Sequence, residues 1–231
     1  MLGFQRYLYV FAIFKIKTLR WDKNEKDFFV FLDLLKGKDG IICDLGANIG
    51  IMTYHLAKEL PKANIHSFEP IPDNISVLTK VCKRFNLKHV KIHPIAIGDS
   101  VGKLKMILPE NDKTKMQGLS HVKHESITEW NKGLEFEVDS STLDKIFENK
   151  TVSGIKIDIE NYEYFAFLGG KKLLSESKPI IYAELWDNEN RQNCFQLLQE
   201  LGYKTYVVCD KELKLFDAQK HNSQNFIFRV D

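Results

Sequence analysis

IICDLGANIGIMTY, residues 41–54, decides the fold class. It reads as a buried strand, a tight glycine turn and the start of a helix. Asp44 stands where the strand ends, and Gly46 and Gly50 bracket a turn with Asn48 between them. Glycine lets the backbone turn sharply and lets a ligand approach closely. Asparagine tolerates a left-handed conformation better than other residues that carry a side chain. The helix that follows offers unpaired N–H groups at its start, and an open α/β sheet binds its ligand beyond the carboxyl ends of its strands. A dinucleotide fingerprint requires Gly-x-Gly-x-x-Gly; counted from Gly46, its later positions are Asn48 and Ile51. A P-loop requires Gly-Lys-Ser/Thr, and Gly50 is followed by Ile51 and Met52. The turn therefore suits a nucleoside ligand that has no pyrophosphate.

Residues 64–72, NIHSFEPIP, supply a second apolar strand that ends in Glu69. A carboxylate at that place can accept hydrogen bonds from both hydroxyls of a ribose. Asp44 and Glu69, one strand–helix unit apart, resemble the S-adenosylmethionine site of Rossmann-like methyltransferases.

The chain of 231 residues fits one large domain, long enough to bury most of its apolar surface without staples. Its 33 basic and 31 acidic residues leave a formal charge of +2, too balanced to argue for nucleic acid or an anionic surface. Cys43, Cys82, Cys194 and Cys209 form no Cys-x-x-Cys pair and read as thiols of a reducing cytosol. Tyr7–Phe14, YLYVFAIF, is an apolar run far short of the roughly 20 residues of a bilayer span. No small-residue cleavage site follows it, which argues against a signal peptide. It reads as a helix packed on the domain; the alternative is a helix on a membrane surface or a partner.

Along the chain, Phe28, Phe31, Leu32 and Leu35 share one face of a helix over 24–36. Further helices are expected over 50–60, from Pro72, over 162–174 and over 191–201. Strands are expected over 89–97, 155–159 and 179–185, with shorter β pieces at 103–108 and 134–138. Thr142 caps a short helix. Residues 203–209 and 225–230 read as a closing hairpin, so a parallel sheet carries an antiparallel edge. The polar stretch 109–133 breaks the rhythm. A connection of that length is usually functional or disordered, and it reads as a lid with Gly118 and Gly133 as hinges.

The motifs DLGANIG (Asp44–Gly50), FEP (Phe68–Pro70), AIGD (Ala96–Asp99), TLD (Thr142–Asp144) and KIDIE (Lys156–Glu160) occur in this order. Together they resemble the FkbM-type methyltransferase family over roughly residues 40–205. The resemblance implies a Rossmann-like class I methyltransferase fold: a seven-stranded, mostly parallel sheet with an antiparallel edge hairpin at the C-terminus. With the helices read before the first strand, the chain is expected to divide into an N-terminal helical segment, 1–38, and a methyltransferase domain, 39–231. It also implies methyl transfer from S-adenosylmethionine, usually to a hydroxyl oxygen of a sugar or natural-product scaffold. Asn161 stands where the family usually has glycine, and Glu163 supplies the later acid.

The resemblance assigns roles residue by residue. Gly46, Asn48 and Gly50 shape the methionine-binding turn. Asp44 holds the cofactor's ammonium end, directly or through water. Glu69 takes the ribose, Pro70 and Ile71 lie against the adenine, and Asp99 accepts from the adenine amino group. A sugar hydroxyl has a high pKa, so a base or a metal must help remove its proton. Asp158, at the end of the fourth strand, is expected to touch cofactor or substrate, and His121 and His124 are candidate bases. Asp158 with Glu160 or Glu184 could make an oxygen-ligand magnesium site, but carboxylates at strand ends also cap helices, and no metal is expected. Two other readings stay open: a non-catalytic binding protein on the same fold, and a nucleic-acid methyltransferase. The latter would be expected to show a basic stripe or an RNA-binding module, and neither is visible. The acceptor and the oligomeric state are not written in the sequence.

Overall fold

α1 (Phe4–Thr18) and α2 (Lys26–Leu35), joined by two 3-10 turns, lead into β1 (Gly40–Leu45). The computed structural model describes residues 3–111, 114–115, 120–127 and 132–231. Strand–helix alternation continues through α3 (Ile51–Glu59), β2 (Ala63–Phe68), α4 (Pro72–Phe85) and β3 (Val90–His93). β4 (Ala96–Ile97), β5 (Gly102–Asn111), β6 (Thr114–Lys115), β7 (His121–Val122) and β8 (Gly133–Ser141) leave that rhythm. It resumes with α5 (Leu143–Ile146), β9 (Val152–Ile157), α6 (Glu163–Leu168), α7 (Lys171–Ser177), β10 (Ile180–Glu184) and α8 (Glu189–Glu200). β11 (Lys204–Cys209), β12 (Glu212–Leu215) and β13 (Asn225–Arg229) follow.

The main sheet has the order β12-β11-β13-β10-β9-β1-β2-β3. β3, β2, β1, β9 and β10 run parallel; β13 is antiparallel to both β10 and β11. This is the expected class I methyltransferase sheet with one strand added. The addition is β12, which folds back on β11. Asp210 and Lys211 between them both have positive φ, the backbone of a tight two-residue hairpin turn. A turn of that kind usually advertises itself as Asn-Gly or Asp-Gly, and Asp-Lys does not.

The central strands alternate between two core layers, as a period of two requires. Ile42 and Ile65 face Phe28, Phe31, Leu35 and Leu56 of α2 and α3. Cys43, Leu45, Phe68 and Ile155 face a layer built by Leu143, Phe167, Leu174 and Leu198 of α5 to α8. α2 buries the four residues that its spacing selected. α1 packs Ala12 and Ile16 against Ile49, Val77 and Val81 beside the glycine turn.

Two expectations need correction. The strand expected over 89–97 is two strands in different sheets, because Pro94 separates them and has no N–H to continue a ladder. β4 instead pairs with β8, and β8 pairs with β5 over Gly102–Pro109 in a second, smaller sheet. The helix expected over 162–174 breaks between α6 and α7 at Gly169 and Gly170. There a Cβ on Gly169 would lie 2.0 Å from the Gly98 carbonyl oxygen, so close packing sets the break.

The stretch 109–133 is partly sheet. Its ends, Pro109 and Gly133, are cross-strand partners, and β7 pairs with β5 through Ile107 and Met106. Gly133 lies in strand, where a Cβ would meet the Leu108 carbonyl oxygen at 2.0 Å. Gly118 lies outside the described residues.

Candidate active site

The turn after β1 is tied down from several sides. The N–H groups of Gly46 and Ala47 both donate to the Phe68 carbonyl at the end of β2. Gly46, Asn48 and Gly50 all have positive φ, as the sequence requires of a tight turn. A Cβ on Gly46 would lie 1.9 Å from the Asp158 carbonyl oxygen, and one on Gly50 would lie 2.6 Å from Leu78 Cδ1. The two glycines therefore let the turn lie directly against the end of β9 and against α4.

Beneath this turn is a buried ion pair. Asp44 is wholly buried and accepts from Thr53 Oγ1 at 2.6 Å. Lys156, also buried, places Nζ 3.3 Å from Asp44 Oδ1 and 3.9 Å from Asp158 Oδ2. The same ammonium donates to the carbonyls of Gly46 at 3.0 Å and Leu45 at 3.4 Å. Among the described residues Asp44 Oδ1 has no well-directed hydrogen-bond donor; the Lys156 ammonium faces it chiefly as a charge. Burial works against the Lys156 charge, but Asp44, Asp158 and Glu184 outweigh it and raise the lysine pKa. In this structure Asp44 is held below the turn by Thr53 and Lys156 and is in neither cleft lining. Lys156 went unread in the sequence. Its signal was a lysine inside the apolar run IKIDI, since a buried lysine must find acids.

Beside the turn opens a cleft of about 640 Å³, its mouth included, lined by Gly46, Asn48, Glu69, Ile71, Asp158 and Tyr162 among others. That volume lies within the range of small-molecule sites. Pro70 and Ile97 line it as well. Glu69 is buried there. Its Oε2 accepts from Asn48 N at 2.9 Å, and its Oε1 from Ile71 N at 2.9 Å and Asn74 Nδ2 at 3.2 Å. Burial pushes its pKa up to about 7 against the pull of those hydrogen bonds. Two buried polar atoms of cleft-lining residues, Asn74 Oδ1 and Ser120 Oγ, have no hydrogen-bond partner among the described residues. Neither residue was singled out in the sequence; Asn74 is marked only by its position in the first turn of α4, five residues after Glu69.

At the far side of the cleft the chain turns sharply after β9. Glu160 and Asn161 both have positive φ. Asparagine adopts this conformation more readily than most residues, so Asn161 can occupy a position where the resemblance led one to expect glycine. Asn188 Nδ2 donates to Asn161 Oδ1 at 2.9 Å, and Asn190 Nδ2 donates to the Asn161 carbonyl at 3.0 Å. Glu163 Oε1 accepts from Ile159 N at 2.9 Å, and burial lifts the Glu163 pKa to about 8. Glu160 and Glu184 are pushed up as well, first by burial and then by the charge of Asp158. Among the described residues, no three His, Cys, Asp or Glu side chains are grouped to hold a metal ion.

A second cleft, about 990 Å³ with its mouth, runs between α1 and the turn. It shares Gly46, Asn48 and Asp158 with the first. Of the residues singled out in the sequence, the structure brings Gly46, Asn48, Glu69, Pro70, Ile71 and Asp158 to one place. Gly50 packs against Leu78, and Asp99 is exposed and in neither lining, although its charge acts on Tyr162, which lines the first cleft. His121 is buried in β7 between two cleft-lining residues, Ser120 and Val122, but is itself in neither lining. His124 is half-buried, its ring centroid 4.3 Å from that of Phe165 and its Nδ1 accepting from Ser126 N.

Comparison with known proteins accords with this geometry. The methyltransferase FkbM domain matches residues 44–206. A methyltransferase FkbM from Methylobacillus flagellatus KT superposes with TM-score 0.56 at 15% identity, over 83% of this chain and 44% of that one. The chain thus spans less than half the length of that protein. A SAM-dependent O-methyltransferase from Thermotoga maritima gives 0.51 at 13% identity, over 95% and 71%. A precorrin-6y C5,15-methyltransferase from Geobacter metallireducens GS-15 gives 0.52 at 12% identity, over 90% and 88%. Similarities at these identities establish the fold. No curated protein matches the chain. Because the domain match covers well over half of the chain and its motifs fall at the strand ends where this fold takes its ligands, the chain belongs to the FkbM methyltransferase family, and its cofactor is S-adenosylmethionine.

Proposed function

We propose that this chain methylates a hydroxyl oxygen on a sugar, glycan or other small-molecule scaffold. The observation that carries this reading is the meeting of two clefts at Gly46, Asn48 and Asp158. One has the fittings for a nucleoside, and the other is left for an acceptor.

The residues present fit the cofactor. The unpartnered Asn74 Oδ1 and the Glu69 carboxylate are acceptors suited to the two ribose hydroxyls. Pro70, Ile71 and Ile97 offer apolar surface for the adenine. The turn at Gly46–Asn48 borders both clefts and would hold the methionine end. When bound, the cofactor supplies a methyl carbon already activated by its sulfonium. The chain's own task is alignment and removal of a proton. The acceptor oxygen would receive that methyl group from the sulfonium, and its hydroxyl proton would leave to a carboxylate of this chain. Asp158, at the junction, orients the hydroxyl. Glu160, two residues on, lines the first cleft and not the second, and takes the proton of a hydroxyl that Asp158 holds where the two clefts meet. Its raised pKa makes its ionised form a stronger base than an ordinary carboxylate. Neither histidine lines a cleft, so neither is given this role.

The four free cysteines support a reducing, cytoplasmic setting. The test is methyl transfer from labelled S-adenosylmethionine to a panel of hydroxylated acceptors and envelope glycan fractions. Glu160→Gln and Asp158→Asn should lose turnover while retaining affinity for S-adenosylhomocysteine. Turnover unchanged in Glu160→Gln, or label entering only RNA, would overturn the reading.

A further inference from the structure

We infer that α1 is an interfacial helix that seats the protein on an anionic lipid surface, with the second cleft opening alongside. One face of α1 is covered by α4 and the glycine turn through Ala12 and Ile16. The other face is also apolar and is uncovered: Tyr7 is 56% exposed, Val10 51% and Phe14 59%, and Trp21 just beyond is 79% exposed. A helix on the surface of a globular protein normally shows polar residues there. Aromatic residues such as Tyr7 and Trp21 suit the membrane–water boundary, where one end is apolar and the other wet.

The charge on this element has one sign. Residues 4–21 contain Arg6, Lys15, Lys17 and Arg20 and no acid. Lys15 is held by Asp22 and Arg20 by Glu59, while Arg6 and Lys17 are exposed. Exposed basic residues beside an apolar stripe complement an anionic bilayer. The whole chain is nearly neutral, so this bias belongs to the helix and not to the composition. At 15 residues α1 is too short to cross a bilayer, and no described helix is long and apolar enough to do so; the helix would lie on the surface.

The same helix connects surface to site. Phe4, Tyr7, Phe11 and Lys15 line the second cleft, which reaches Asp158. An acceptor whose hydroxyl is carried on a lipid would enter beside the docked helix. That acceptor class rests on the proposed reaction, whereas docking itself does not.

The test is flotation of the full chain with vesicles of phosphatidylcholine alone and of phosphatidylcholine containing roughly one-third phosphatidylglycerol. The chain should bind the anionic vesicles, and binding should fall as salt rises. A triple variant, Val10→Ser with Phe14→Ser and Trp21→Ser, changes exposed residues that line neither cleft. It should bind at least tenfold more weakly while keeping the wild-type affinity for S-adenosylhomocysteine. Binding is read without any methyl acceptor, so failure of the proposed reaction leaves this result standing, and the reverse holds. The inference is overturned if the wild type does not bind anionic vesicles, or if the triple variant binds them equally well. It is also overturned if sedimentation shows a wild-type dimer that the triple variant dissolves, since a second copy would then cover the face.

Discussion

Lys156→Met removes the buried cation under the glycine turn at little change in side-chain length. Asp44 then remains wholly buried, with Thr53 as its hydrogen-bond donor and no charge facing Oδ1. The Gly46 and Leu45 carbonyls also lose their contacts with Nζ. Breaking a buried pair by deleting one partner costs about 3–5 kcal/mol. The Asp158 contact adds little, because it is longer and the Asp158 side chain is 35% exposed. A domain of this size is stable by roughly 5–15 kcal/mol, so the loss is a large share of the total. Urea unfolding followed by circular dichroism measures it, provided the slope of the transition is unchanged. Asp44→Asn in the same chain removes the stranded charge, so the double variant should recover much of the stability; if the single variant fails to fold, the double variant carries the test. A loss below about 1 kcal/mol in the single variant, or strictly additive effects of the two changes, would refute the reasoning.

Glu69→Ala should weaken S-adenosylhomocysteine binding by about ten- to a hundredfold, since hydrogen bonds to a charged group are worth roughly 1.5–3 kcal/mol; calorimetry reads it. In the wild type, affinity should rise as pH passes upward through about 7, where the Glu69 carboxylate ionises and becomes the better acceptor for ribose hydroxyls; Glu69→Gln should show no such rise. The cofactor-free protein should be more stable near pH 5 than near pH 8.5. Glu69 and Glu163 have folded pKa values of about 7 and about 8, above the ordinary value of 4.5. Between those values the unfolded chain binds fewer protons, so stability is lost as pH rises through the folded pKa, by on the order of 3 kcal/mol for each group. Glu163→Gln should flatten the dependence of the denaturation midpoint on pH.

The parts of the fold legible in the sequence were those written locally. The turn at Gly46–Gly50, the amphipathic face of α2 and the Thr142 cap each depend on a few adjacent residues, and each stands where it was expected. The parts that were not legible depend on partners far along the chain. β4 leaves the main sheet because β8, some 40 residues later, offers it an edge. The break between α6 and α7 is set by Gly98, and Gly169 looks locally like any glycine. The site divides in the same way. Glu69 announced itself beside a proline at a strand end, whereas Lys156 acquires its meaning only when β9 is laid beside β1 and brings it to Asp44.

The most direct test of the central claim is to incubate the protein with S-adenosylmethionine carrying a carbon-13 methyl group and a hydroxylated acceptor, and to identify by NMR the atom that receives the methyl. The account predicts a methyl ether, formed at a rate that increases with pH as Glu160 ionises and that is lost in Glu160→Gln. A labelled methyl on nitrogen or carbon, or cofactor bound tightly with no transfer to any hydroxyl, would contradict it.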